Sequence, residues 1–339
     1  MYKLGLRLHP ACRFAAAAAI AATLVFVPSA RVGSGPLVAG PKAVRSGTAS
    51  GVERVAVFGR DARKALPKAE KKLHRGIGIL YNTQSHSVCT AFCAGDATIG
   101  TAAHCIYRTS GEEAQPLAGF SFRLGRGTSL DTSRIAGARQ LAGGPTGISG
   151  TKSLSVRPPI DATSDWAFVR LETPICRGKA LPIVVRAPEE ILALAAQGRV
   201  NQAAFHKDFG HWELALGQGC AIERSFGETL WPAIAKDFSQ SEHLILHTCA
   251  TGGGSSGSPL LVDGPDGPEV IGINVGTYLR SHAILDHGEV KGYAQAQAVA
   301  NTGVSAAAFA EPFAAFQAEA VPRLHEDKSR VQRAVARAR

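Results

Sequence analysis

The feature that most constrains this chain is the recurrence of short apolar runs separated by Gly-rich or polar loops: Ile77 to Tyr81, Trp166 to Leu171, Leu244 to Leu246 and Val270 to Val275. Runs of strand length bounded by turn residues, repeated along a chain, predict an all-β protein. Only Ser305 to Ala320, rich in alanine, reads as strongly helical, with Pro312 near the helix start or at a kink. No internal repeat is visible. With 339 residues and 45% hydrophobic content, the chain can bury a sizeable core in one large domain or two small ones.

The N-terminal end reads as a targeting segment. Lys3, Arg7 and Arg13 precede an apolar stretch from Phe14 to Val27, which is short for a bilayer span. Residues 1–29 are therefore expected to be a signal peptide, cleaved near Ser29 or Ala30; an uncleaved anchor is the alternative. Residues 30–54, rich in Gly, Ser, Ala, Val and Pro, read as a propeptide or linker, and 55–310 as the folded domain. Residues 311–339 hold the end of the C-terminal helix and a basic tail. The expected location is secreted or periplasmic, with no membrane contact after signal cleavage.

Cysteine parity agrees with export. Cys12 lies inside the leader, and its removal leaves Cys89, Cys93, Cys105, Cys176, Cys220 and Cys249, enough for three disulfides. The competing reading is a zinc site of Cys89, Cys93, His104 and Cys105, but exported thiols usually pair with one another. The net charge of +10 is concentrated between Arg60 and Arg75 and in the tail from Arg323 to Arg339, outside any nucleic-acid-binding motif. It reads as solvated basic surface, and no nucleic-acid partner is expected.

Three segments carry chemistry. Gly254-Ser255-Ser256-Gly257-Ser258-Pro259, preceded by Gly252 and Gly253, is a turn of minimal bulk. Such a turn can bring backbone N–H groups close to a developing oxyanion and present a serine nucleophile. Thr101-Ala102-Ala103-His104-Cys105 sets a histidine after small residues at the end of an apolar run. Asp165-Trp166-Ala167-Phe168-Val169-Arg170-Leu171 places a carboxylate at the mouth of a strand that reads as buried, where it needs a partner such as an imidazole N–H.

These segments, in the order His, Asp, Ser, resemble the trypsin/chymotrypsin superfamily, and within it the secreted bacterial branch that includes the glutamyl endopeptidases. The resemblance covers roughly Val55 to Phe309. It implies two packed antiparallel β-barrels with a short C-terminal helix, His104 and Asp165 on the first barrel and Ser256 on the second. It implies a monomeric serine endopeptidase that acts on protein or peptide substrates without metal or organic cofactor, with His104, Asp165 and Ser256 as the triad. Asp161 is a weaker candidate for the acid. The N–H groups of Gly254 and Ser256 would form the oxyanion hole. The family's pattern further implies disulfides Cys89–Cys105 and Cys220–Cys249, and with them Cys93–Cys176.

Two departures and two alternatives accompany the resemblance. Ser255 stands where trypsin-type zymogens carry the aspartate that pairs with a new N-terminus, so cleavage after Arg54 would have to act differently. In the specificity pocket, Ala250 replaces the aspartate of trypsin, Thr251 matches a hydroxyl of the glutamyl endopeptidases, and Asn274 stands where those enzymes carry a histidine. Uncharged side chains of small or medium size are therefore expected at the cleaved bond. Gly253 to Gly257 also fits the nucleophile elbow of an α/β-hydrolase, with His282 and His287 downstream, but the order of the three segments and the scarcity of long helices speak against it. A non-catalytic binding module on the same fold is the alternative of a different class.

Overall fold

A computed structural model describes residues 56–67, 70–107, 119–126, 129–136, 145–280, 283–286, 289–293 and 297–319. The expected signal peptide, the propeptide or linker, the basic tail, Cys12, His282 and His287 lie outside these residues. Two seven-stranded antiparallel sheets make up the body.

The first sheet contains β2 (Ile77–Asn82), β3 (Val88–Gly95), β4 (Thr98–Thr101), β5 (Phe120–Arg126), β6 (Ser129–Arg134), β7 (Gly147–Ser149) and β8 (Ala167–Arg170), in the order β6-β5-β2-β3-β4-β8-β7. It curls until the residues just beyond β6 and β8 meet, with Ile135 bridged to Leu171 and Ala136 N donating to Arg170 O at 2.8 Å. Closure satisfies edge groups that would otherwise be open to another chain. Phe92, Phe120, Phe122 and Phe168 fill the interior and are fully buried.

The second sheet contains β1 (Arg63–Ala65), β9 (Val200–Phe205), β10 (Leu214–Gly217), β11 (Leu244–His247), β12 (Pro259–Gly264), β13 (Gly267–Arg280) and β16 (Gln297–Ser305), in the order β1-β10-β9-β12-β13-β16-β11. The segment after β10 closes this sheet onto β11, where Ile222 bridges His247. A separate hairpin joins β14 (Ala283–Asp286) to β15 (Glu289–Tyr293). The all-β, two-barrel architecture expected from the sequence is thus observed, and among the described residues strands do not alternate with helices as an α/β-hydrolase would require.

Three helices are described: α1 (Pro188–Ala196), α2 (Trp231–Ala235) and α3 (Ala310–Ala318). The helix expected over Ser305 to Ala320 is shorter, because Ala306–Ala308 form a 3-10 turn first. Pro312 sits in the first turn of α3, where a missing N–H costs no intrahelical bond. Although α3 follows the second barrel in sequence, it packs on the first. Phe313 stacks on Phe168 with ring centroids 4.3 Å apart, and Arg170 donates to Phe316 O at 2.6 Å while lying over its ring. The chain therefore straps the two barrels together, and one hydrophobic cluster runs through both.

Candidate active site

Strand register brings the first two candidates together. β4 and β8 pair antiparallel with Thr101 opposite Ala167, so the residue three beyond Thr101 and the residue two before Ala167 emerge at the same end. His104 lies in a 3-10 turn, Ala103–Cys105, whose neighbours Ala102 and Ala103 are small enough to be buried. Asp165 follows another such turn, Ala162–Ser164. Its side chain is fully buried, and both oxygens are used on His104: Oδ1 accepts from the backbone N at 2.8 Å and Oδ2 from Nδ1 at 2.6 Å. The two bonds satisfy a carboxylate that burial would otherwise penalise.

This pairing fixes the imidazole. Nδ1 must carry hydrogen to donate to a carboxylate, which leaves the neutral ring's lone pair on Nε2. Burial alone would lower the His104 pKa, but the charge and hydrogen bond of Asp165 outweigh it and raise the pKa above the ordinary 6.5. Asp161 is not brought to His104: its carboxylate accepts from Ser155 N at 2.5 Å, and burial raises its pKa.

Ser256 sits on the Gly-rich turn before β12. It is half-buried, whereas Ser255 is only 3% exposed and within reach of Asn274 Nδ2. Glycine is required on both sides of Ser256. Gly254 has φ of +95°, and a side chain there would strike Trp212; Gly257 has φ of +81°, and a Cβ would lie 2.0 Å from Thr101 Oγ1. Ser256 Oγ donates to Val275 O at 3.2 Å, and among the described residues no hydrogen bond joins it to His104.

The turn is anchored by its carbonyl groups. Gly253 O accepts from Lys207 N at 2.7 Å, Gly254 O from Thr90 Oγ1 at 2.8 Å, and Ser256 O from Thr90 N at 2.9 Å. A trans peptide points its C=O and N–H in opposite directions, so the bond from Lys207 turns the Gly254 N–H to the other side. Among the described residues, neither the Gly254 N–H nor the Ser256 N–H has a protein acceptor. The turn therefore offers two open backbone donors beside a half-buried serine.

Thr90, which carries much of this anchoring, lies on β3 of the first barrel; its Oγ1 also accepts from Phe205 N at 3.0 Å. The sequence offered no signal for Thr90 beyond its place after Cys89. Beneath the turn, Asn274 is buried, with Nδ2 donating to Ser255 O at 3.0 Å and Oδ1 within 3.1 Å of His247 Nε2. It holds the turn from below. Ala250 and Thr251 are buried, and Thr251 meets Asn301, a residue the sequence did not single out.

Cys89–Cys105, Cys93–Cys176 and Cys220–Cys249 are bonded, with S–S distances of 2.07, 1.98 and 2.10 Å. Cys89, His104 and Cys105 converge, but with the two sulfurs bonded to each other no thiolate faces His104. His104 opens onto a cleft shared with Leu154, Val156, Ile160, Phe238, Val275 and Thr277. Among the described residues, no helix is long and apolar enough to cross a membrane.

Two closed antiparallel barrels, with a His–Asp pair on one and a glycine-bounded serine on the other, give the chain a trypsin-like serine-protease fold. No family model and no curated protein matches the chain. Among solved structures it is similar to a Glu endopeptidase determined in complex with MPD, at 18% identity and a TM-score of 0.49, over 76% of this chain and 96% of that one. It is also similar to AL20, a thermostable serine protease from an extremophilic microorganism, at 17% identity and a TM-score of 0.41, over 69% of this chain and 91% of that one.

Proposed function

We propose that the protein is an exported serine endopeptidase that hydrolyses peptide bonds through an acyl-enzyme. The observation that carries this reading is the buried Asp165, whose two oxygens both bind His104 and leave Nε2 as the base. Ser256 attacks the carbonyl carbon while its proton passes to His104 Nε2, and the N–H groups of Gly254 and Ser256 receive the oxyanion. Collapse of the tetrahedral intermediate returns that proton to the leaving amine. Water then repeats the sequence on the ester and releases the acid, with Asp165 holding the imidazolium in place at each stage. The bond from Ser256 Oγ to Val275 O is compatible with this cycle, since rotation about χ1 redirects the hydroxyl and catalytic hydrogen bonds often tighten only with substrate bound.

That same bond is what favours the second reading, a non-catalytic module that binds peptides. Export is supported by three disulfides and by the leader-like N-terminus. The deciding experiment is reaction of the purified protein with a fluorophosphonate, followed by peptide mapping. A single adduct on Ser256, lost in Ser256→Ala, is expected; an intact protein with no adduct would leave the binding-module reading in its place.

A further inference from the structure

Asn301, on β16, makes four hydrogen bonds. Nδ2 lies 3.2 Å from Ala56 O and 2.6 Å from Cys249 O, while Oδ1 lies 3.1 Å from Thr251 Oγ1 and 2.8 Å from Thr277 Oγ1. Backbone carbonyls cannot donate, so the amide has one allowed orientation: the reverse would set Oδ1 against two carbonyl oxygens in a fully buried site. Oδ1 therefore faces the two threonines, and each must supply its hydrogen. Thr277 gives its proton to Oδ1. Thr251 gives its proton to Oδ1 or to Ala56 O, 3.3 Å away, and it is spent either way.

Thr251 stands five residues before Ser256. Thr277 stands two beyond Val275, whose carbonyl accepts the Ser256 hydroxyl, and it lines the cleft onto which His104 opens. Thr277 is the member of the cluster that faces this cleft, with Asn301 and Thr251 buried behind it. The hydroxyls have only lone pairs left to offer, and none of the cluster's hydrogen bonds goes to a carboxylate. We infer that Asn301 sets the polarity of the floor that receives the residue before the scissile bond, so that glutamine is accepted there and its isostere glutamate is refused. This inference rests on the peptidase reading. A carboxylate would lose its hydration and meet lone pairs, whereas a carboxamide supplies the missing N–H groups.

The test uses the active protein and four fluorogenic peptides that differ only before the cleaved bond, with Gln, Glu, Met or Lys, alongside fluorophosphonate labelling of Ser256. The Gln peptide is expected to exceed the Glu peptide in kcat/KM by more than about tenfold. Asn301→Ala removes four buried bonds and threatens folding, so the informative variant is Thr277→Val, which keeps shape and loses one acceptor. It should retain labelling and lower the Gln-to-Met ratio severalfold. A labelled enzyme with a Gln-to-Glu ratio below about tenfold, or a Thr277→Val variant with an unchanged Gln-to-Met ratio, overturns the inference and leaves the peptidase reading standing. A protein that neither labels nor cleaves any of the four overturns both.

Discussion

The two barrels prepare their parts of the site in opposite ways. The first supplies a pair of side chains bound to each other: His104 and Asp165 are held by adjacent strands, and every oxygen of the buried carboxylate is engaged. The second supplies a turn whose carbonyls are tied down while its N–H groups at Gly254 and Ser256 stay open. Proton transfer needs two groups in fixed mutual geometry, whereas oxyanion binding needs donors that no protein acceptor has already taken. One barrel is saturated and the other is deliberately incomplete.

If the contrast holds, removal of either partner across the cleft has the largest effect. Ser256→Ala and His104→Ala should each lower kcat by about a millionfold with circular dichroism unchanged, because the groups act as a unit. An active Ser256→Ala paired with a silent Ser255→Ala would move the nucleophile by one residue. Asp165→Asn keeps the shape but offers an amide where two N–H donors need acceptors, so kcat should fall about ten-thousandfold. The raised pKa of His104 means that kcat/KM in the native protein rises with pH through a value above 6.5, and this limb should shift downward in Asp165→Asn.

Acid should separate the barrels thermodynamically. His206 and His247, both on the second barrel's side, are buried, and burial above all pushes each down to about 4. Their folded-state pKa lies below the unfolded value of 6.5, so their contribution is present above pH 6.5 and is lost as pH falls toward 4. The loss is on the order of 3 kcal/mol each. His104 has the opposite sign: its raised pKa contributes stability that is full below 6.5 and disappears as pH rises through the folded value. Hydrogen exchange at pH 7.5 and 4.5 should show β9 and β11 losing protection relative to β4 and β8; uniform loss would contradict the assignment.

The smallest expected effect tests the link between barrels. Thr90→Val removes the hydroxyl that donates to Gly254 O and accepts from Phe205 N, leaving both without that partner. A fall in kcat of about tenfold with KM nearly unchanged is expected, since the substrate still binds while the oxyanion donors lose alignment. Thr90→Ser should restore most of it. A loss in Thr90→Ser with Thr90→Val unaffected would mean that the methyl packing matters and the hydroxyl does not.

The same contrast explains what could be read from the sequence. Short apolar runs announced the strands, and the segments around His104, Asp165 and Ser256 were visible because each motif is local. The parts that were not visible depend on partners far along the chain: Thr90 reaches Gly254 across 164 residues, and Asn301 reaches Cys249 across 52. No local pattern encodes such a meeting, since a threonine in a strand or an asparagine in another is ordinary until register decides its neighbour. Asn274 shows the same limit. Its position beside the nucleophile was legible, but the direction of its side chain, under the turn and against Ser255 and His247, was set by packing.

One bond gives the fold a temporal order. Asn301 donates to the carbonyl of Ala56, 245 residues earlier, and that carbonyl also receives the backbone N–H of Thr251. The floor beside Ser256 is thus built from the beginning, the middle and the end of the described chain. A nascent chain that has released His104 and Asp165 can complete the first barrel's pair, but the floor cannot close until β16 has emerged. Vectorial synthesis therefore leaves the Ser256 side of the cleft unfinished until nearly the whole chain is free to fold.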